Sequence, residues 1–430
     1  MRSQSLLRFS LLMSAGSVAA SVALTGCNSY RVNSGSSTGP SSPTTGSSSN
    51  SPAAFVYVTS QPSATSSTYT VVAYATDTNG HLTPISGSPF DQNAVSVTAS
   101  GGYLLANTPS QPDINSYKIG SDGTLSLASQ FNYQQQTGYV SNDNNTCGGV
   151  GDFIFDRTGQ YVYATVTNYD CSSNNAIASF AFDPSKGTLS YLGNANIGYE
   201  SSGEISFLSD DSYAYSALND ECMYGGISSF SRSANGLLNY STAVTFTPTQ
   251  GPPPPPGSKG SFKQGYAPAM TAADNANHIA IAEFPCFEVN GVAQTQVQFA
   301  AYTADSNGNL ATTDTYATMP ATAINVEQIA VSPSGTILAA GGLGGLQLFH
   351  FNGASSLTNF TNVLTTDTIG QIVWDNSNHL YALSRFQAGP GNAYGSGKLH
   401  VFNVTDKGAT EASGSPYTIP EPLFLAVQPE

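Results

Sequence analysis

The chain has 430 residues, among them 42 Gly, 23 Tyr and 21 Phe, and only 9% of it is charged. Few Glu, Lys and Arg are available for the exposed faces of helices, whereas turn-forming and aromatic residues abound, so an all-β protein is expected. The formal charge of −15, from 27 acids against 12 bases, excludes an electrostatic nucleic-acid binder and disfavours charge-driven attachment to an anionic membrane.

Residues 1–27 open with Arg2 and Arg8, continue with the apolar run "LLMSAGSVAASVAL" and end in "LTGC". A charged start, a short apolar centre and small residues make a secretory signal, too short for a permanent membrane span. The closing tetrad resembles the bacterial lipobox. That resemblance implies that Cys27 becomes an acylated N-terminus, a lipid anchor on a membrane of the cell envelope. Asn28 in place of Asp resembles the outer-membrane sorting class, should the cell have two membranes. The next stretch, 28–52, is Ser, Gly, Thr and Pro with little that can pack, and reads as a flexible tether. The folded part is expected at 53–430.

From there one spelling recurs. "DTNGHLTPISGSPF" (77–90) returns as "VTDKGATEASGSPY" (404–417), and its turn glycine recurs at Gly80, Gly123, Gly187, Gly236, Gly308 and Gly408. A second hairpin alternates with it: "VTASGGYLLAN" (97–107), "FDRTGQYVYAT" (155–165), "LSDDSYAYSA" (208–217), "AADNANHIAIA" (272–282), "VSPSGTILAA" (331–340) and "DNSNHLYALS" (375–384). A repeat of about 55 residues with two hairpins each is the mark of propeller blades. The sixth outer copy, "NGASSLTN", departs by placing Ser355 at the glycine position. Seven outer hairpins but six inner ones leave the first blade a strand short. The tail "PLFLAVQP" (422–429) has no partner after it, so it is expected to fill that gap and close a seven-bladed ring without free edges.

The G-x-L…GSPF outer hairpin and the D-x-x-G-x-Y-x-Y inner hairpin resemble the seven-bladed lactonase propellers, which include bacterial 6-phosphogluconolactonase and fungal muconate-lactonizing enzymes. The resemblance covers 53–430 and implies that fold, with lactone chemistry carried by His, Arg and acidic side chains converging on the channel. This chain departs from that pattern. His81, His278 and His379 fall in turns on the face away from the long loops, and His350 and His400 fall within strands. Arg385 alone follows a strand toward the long-loop face.

The insertions after second strands (167–176, 219–226, 283–294 and 385–397) and between blades (133–149 and 247–268) should share one face. They bring acids and amides together, and the candidate ligand-binding rim is Asp152, Asn168, Asp170, Asn219, Asp220, Glu283, Glu327 and Arg385. Oxygen-rich rims suit a polyhydroxylated ligand; no metal-ligand spacing is present, and neither a metal nor a cofactor is expected. Cys147, Cys171, Cys222 and Cys286 lie in the same loops of an exported chain, so disulfides are expected. Three connectivities are open, and Cys147–Cys171 with Cys222–Cys286 is the favoured one. The run "GPPPPPGSKGSFKQG" (251–265) reads as a stiff spacer, with a docking rod or a lid swinging Lys259 and Lys263 over Asp170, Asp220 and Glu283 as the other readings. The function expected is a monomeric, lipid-anchored binding or scaffolding module, its partner a small molecule, a glycan or an envelope protein. Hydrolysis of a sugar lactone is the alternative.

Overall fold

The computed structural model describes residues 51–62, 66, 68–108, 113–137, 150–167, 174–196, 205–218, 222, 226–245, 251–260, 265–384 and 396–430. The signal segment with Cys27 and the tether up to residue 50 lie outside the described residues. The rest is a seven-bladed β-propeller of antiparallel sheets. The second blade, for instance, runs Val97–Ser100, Tyr103–Asn107, Asp113–Ile119 and Leu125–Asn132 in sheet order. First strands of neighbouring blades touch one another around the axis. The first blade closes as expected: Pro422–Pro429 pairs antiparallel with Ala54–Ser60, setting Val427 opposite Val56 and Leu425 opposite Val58. Both Gly-Ser-Pro exits, at Ser88–Pro89 and Ser415–Pro416, contain cis peptide bonds.

The two repeated hairpins form a lock between blades. Tyr57 donates its hydroxyl to the carbonyl of Gly123 at 2.9 Å, Tyr163 to Gly236 at 2.8 Å and Tyr215 to Gly308 at 2.8 Å. In each case a tyrosine of one blade's second strand reaches the outer turn of the next blade. Two residues earlier an aromatic ring covers the same glycine: Phe55 under Gly123, Tyr161 under Gly236, Tyr213 under Gly308, and Tyr103 likewise under Gly187. These glycines hold φ between 71° and 87°, a region where a side chain is strained. A β-carbon on Gly236 would also overlap the Tyr161 ring. Both hairpin motifs of the sequence are therefore halves of one inter-blade contact.

Gly236→Ala should accordingly destabilise by on the order of 2–5 kcal/mol, combining left-handed strain and overpacking. Tyr215→Phe, which removes only a buried hydrogen bond, should cost about 1–2 kcal/mol. Denaturant unfolding of the two variants checks the order; equal stability in Gly236→Ala and wild type would show that the glycine is not part of a lock.

Candidate functional site

Strand direction assigns the two ends of the channel. Turns between first and second strands, and between third and fourth, gather on one face; the longer connections lie on the other. On the short-turn face Arg157, Arg232, His278 and His379 are tied down. Arg157 bonds the Phe207 carbonyl at 3.1 Å, the Asp274 carbonyl and Asn275 Oδ1 at 2.9 Å, spanning three blades. Arg232 pairs with Asp156 at 2.9 Å and Asp211 at 3.6 Å while lying over the Tyr161 ring. Burial, helped by Asp156, pushes the Asp211 carboxyl up to about 6. His278 and His379 each hold the aspartate four residues earlier, Asp274 at 2.7 Å and Asp375 at 2.6 Å. Burial acts against the charged form of His379, but Asp375 outweighs it and holds the imidazole above its ordinary range.

His400 is built into the junction of the last two blades, with Nδ1 2.8 Å from Glu411 and Nε2 3.0 Å from Asp367. Lys398 shares Asp367 at 2.8 Å, and this lysine, with His400, holds the Asp367 carboxyl below its ordinary range. His350 packs against Phe360 with the ring centroids 4.2 Å apart and the planes tilted by 43°.

The loop-face end of the channel has a different architecture. Five first strands carry a bulge there: the pairing slips between Val150 and Phe153, Pro268 and Met270, Val326 and Gln328, and Ile369 and Gln371, and between Pro422 and Leu425 in the strand that closes the first blade. The residues at the bulges are Gly151 with Asp152, Ala269, Glu327, Gly370, and Leu423 with Phe424. A bulge kinks the strand and re-aims the inserted side chain. Two members of the expected rim lie at these bulges, Glu327 in the sixth blade and Asp152 in the third; counted from the following turns at Ser332 and Asp156, Glu327 is equivalent to Gly151, and Asp152, one residue on, is equivalent to Gln328. Asp152 is 7% exposed and accepts the Ser96 hydroxyl of the preceding blade at 2.5 Å. Below the bulges, polar side chains stitch neighbouring first strands together. Gln328 accepts from the Ile372 amide, and Gln371 accepts from the Leu425 amide at 2.6 Å while donating to the Leu425 carbonyl. Ser206 donates to the Thr271 carbonyl at 2.8 Å. Sequence reasoning missed the bulges, although Gly or Pro inside the strands, as in "VGD", "APA" and "IGQ", is their usual signal.

Glu283 corrects the expected rim. Its strand continues through His278–Pro285, so the residue lies inside the blade wall at 1% exposure, where it accepts the Tyr302 hydroxyl at 2.7 Å. Burial lifts its carboxyl to about 7, against a smaller downward pull from the Tyr302 bond. Nor is 283–294 a simple loop: Phe287–Val289 and Val292–Ala293 form a further hairpin about Asn290-Gly291, and Lys259–Gly260 adds to it as a third strand. Lys259 lies opposite Glu288, so pairing holds its backbone, and the lid reading fails for it. The small sheet is stapled to the fourth blade by the Cys222–Cys286 disulfide, the favoured pairing. Cys147, Cys171, Asn168, Asp170, Asn219, Asp220, Lys263 and Arg385 lie outside the described residues.

Two predictions follow from this geometry. The fold favours the neutral Glu283 carboxyl, so its stabilising contribution is full below pH 4.5 and is lost as pH rises to about 7. Glu283→Gln, neutral at every pH, should melt with wild type below that window and above it by an increasing margin up to pH 7, on the order of a few kcal/mol. A constant difference across that range would mean that Glu283 does not titrate there. For the disulfide, which closes a span of 64 residues, replacing Cys222 and Cys286 by Ser should lower unfolding free energy by about 2–4 kcal/mol. Reduced wild-type protein should unfold like the double variant.

No family model matches the chain, and no curated protein sequence does. Solved structures match its fold. A candidate 6-phosphogluconolactonase from Bacteroides uniformis superposes with a TM-score of 0.57 at 13% identity, covering 87% of this chain and 99% of that one. A second, from Bacteroides fragilis, gives 0.56 at 14% identity, with 89% and 99% covered. A protein from Lactobacillus plantarum gives 0.58 at 12% identity, with 87% and 99% covered.

Proposed function

We propose that the protein hydrolyses a sugar lactone at the loop-face end of its channel, held at a membrane of the cell envelope through Cys27. The observation that carries this reading is the full-length correspondence of the propeller with two candidate 6-phosphogluconolactonases. The mouth offers chemistry compatible with it. Opening a lactone needs a base to take a proton from the attacking water and donors to stabilise the oxyanion that develops on the carbonyl. Glu327, and Asp152 in the third-blade bulge, are the carboxylates that would serve as base. Among the described residues no further strand lies beyond the first strands, and backbone amides at the bulges would serve the oxyanion.

A specific observation favours a second reading, binding of such a ligand without turnover. All five histidines of the chain, together with Arg157 and Arg232, sit in short-turn-face networks, in outer turns or within third strands, so among the described residues no His or Arg of the kind that lactone-processing relatives direct at the channel is directed there.

Purified protein assayed against 6-phosphogluconolactone and a panel of aldonolactones separates the readings. Hydrolysis above the spontaneous rate, reduced about 100-fold or more in Glu327→Gln with stability intact, is the expected result. Thermal stabilisation by a lactone with no rate enhancement would replace catalysis by binding, and absence of both would overturn the proposal.

A further inference from the structure

The proline run 252–256 reads from the sequence as a spacer, but the structure bolts it down. Every peptide bond in it is trans, and consecutive prolines with φ fixed near −65° form a polyproline II rod of three residues per turn. Exposure follows that period. Pro252 is buried and Pro255 half-buried, whereas Pro253, Pro254 and Pro256 are exposed. One edge of the rod, at 252 and 255, faces the propeller, and another, at 253 and 256, faces solvent.

Each end is fixed. Pro254 lies against Gly265, where a β-carbon would come within 2.9 Å of its ring. The Gly265 carbonyl accepts the Cys286 amide at 2.8 Å, and Cys286 is the disulfide partner of Cys222. After the rod the Ser258 amide donates to the Pro255 carbonyl at 3.1 Å, and Lys259–Gly260 enters the small sheet beside Phe287 and Glu288. A spacer needs length and gains nothing from such anchoring. A recognition element gains affinity from it, because a rod ordered in advance loses little entropy on binding.

We propose that the outward edge formed by Pro253 and Pro256 docks into an aromatic-lined groove of a partner protein. Two prolines three apart on one edge present the spacing that such grooves read, with ring faces packing between aromatic side chains and solvated carbonyls accepting from donors between them. The segment from Gly251 to Ser258 carries no charge, so the contact is apolar and insensitive to salt. This inference is independent of the lactone reading.

The test uses the full chain in detergent and a purified SH3 domain as a probe of known aromatic-groove chemistry. Titration should give saturable binding that changes little between about 0.05 and about 0.5 M salt. Pro253→Ala with Pro256→Ala should weaken it at least about tenfold with the melting temperature unchanged, whereas Pro255→Ala, on the inward edge, should retain it. In cells of the source organism a photo-crosslinking residue at position 253 should yield a discrete protein adduct that Pro256→Ala removes. No saturable binding of the probe, equal binding by the double variant, or no such adduct would overturn the proposal.

Discussion

Everything in this molecule depends on a hydroxyl and a glycine meeting across a blade junction. A propeller sheet is hydrophobic on both faces and has no stable existence alone, so neighbouring sheets must be held at a fixed spacing. Here the tyrosine of a second strand reaches through the interface to the carbonyl of the next blade's outer turn, and the aromatic ring two residues earlier fills the space that a side chain on that glycine would take. The contact uses buried polar atoms, so a shift by one residue would leave them unsatisfied as well as misplacing a ring. It therefore fixes both register and blade rotation. Where the seventh blade meets the first, Tyr381 bonds Thr76 and Asp375 instead, and Asn403 donates to the Asn79 carbonyl. The ring is thus closed by hydrogen bonds as well as by the C-terminal strand.

The lock lies toward the short-turn face, and so do the charged networks. Arg157 and Arg232 join three consecutive blades with Asp156, Asp211 and Asp274, and Asn275 carries the connection on to the Pro333 carbonyl. Buried ion pairs of this kind contribute little net stability once desolvation is counted, but losing one partner is expensive. Their effect is to prevent neighbouring turns from moving separately. The opposite face is relieved of that duty. Bulges flare the first strands, insertions occupy the connections, and one disulfide with one small sheet holds the proline rod in place. That division leaves the loop face able to vary in residue and length while the ring stays closed.

The fold was legible because its two determinants are local. Alternating strands about Asp, Asn and Gly turns recur often enough to count, and the missing first inner strand pointed directly to 422–429. The site was less legible, for physical reasons that differ by residue. Glu283 was misplaced because its strand was read to end at Ala282, although Phe284 and Pro285 still pair with Ala267 and Tyr266. A carboxylate in that position would normally mark the end of a buried strand, and only the tertiary partner Tyr302 makes its burial tolerable. The hairpin about Asn290-Gly291 did carry a local turn signal between Val289 and Val292. The pairing of Lys259–Gly260 with Phe287–Glu288 carried none, since two residues opposite two others across nearly thirty positions leave no periodicity to detect.

The bulges show why a repeat hides its own functional positions. The search for a period rewards positions where blades agree, such as the turn glycines and the inner tyrosines, and these are the positions that hold the ring together. At the bulges the blades agree in backbone and differ in side chain: Gly151, Ala269, Glu327 and Gly370 share one position, and Asp152 follows it in the third blade. Averaged over the repeat, that position looks like noise. Yet a bulge there re-aims whatever side chain it carries without disturbing the lock beneath, so chemistry can change blade by blade at little cost to the fold. Candidate residues in such a protein are best sought where backbone equivalence and side-chain disagreement coincide, and here that criterion selects Glu327, with Asp152 beside the same position in the third-blade bulge, and sets Glu283 aside.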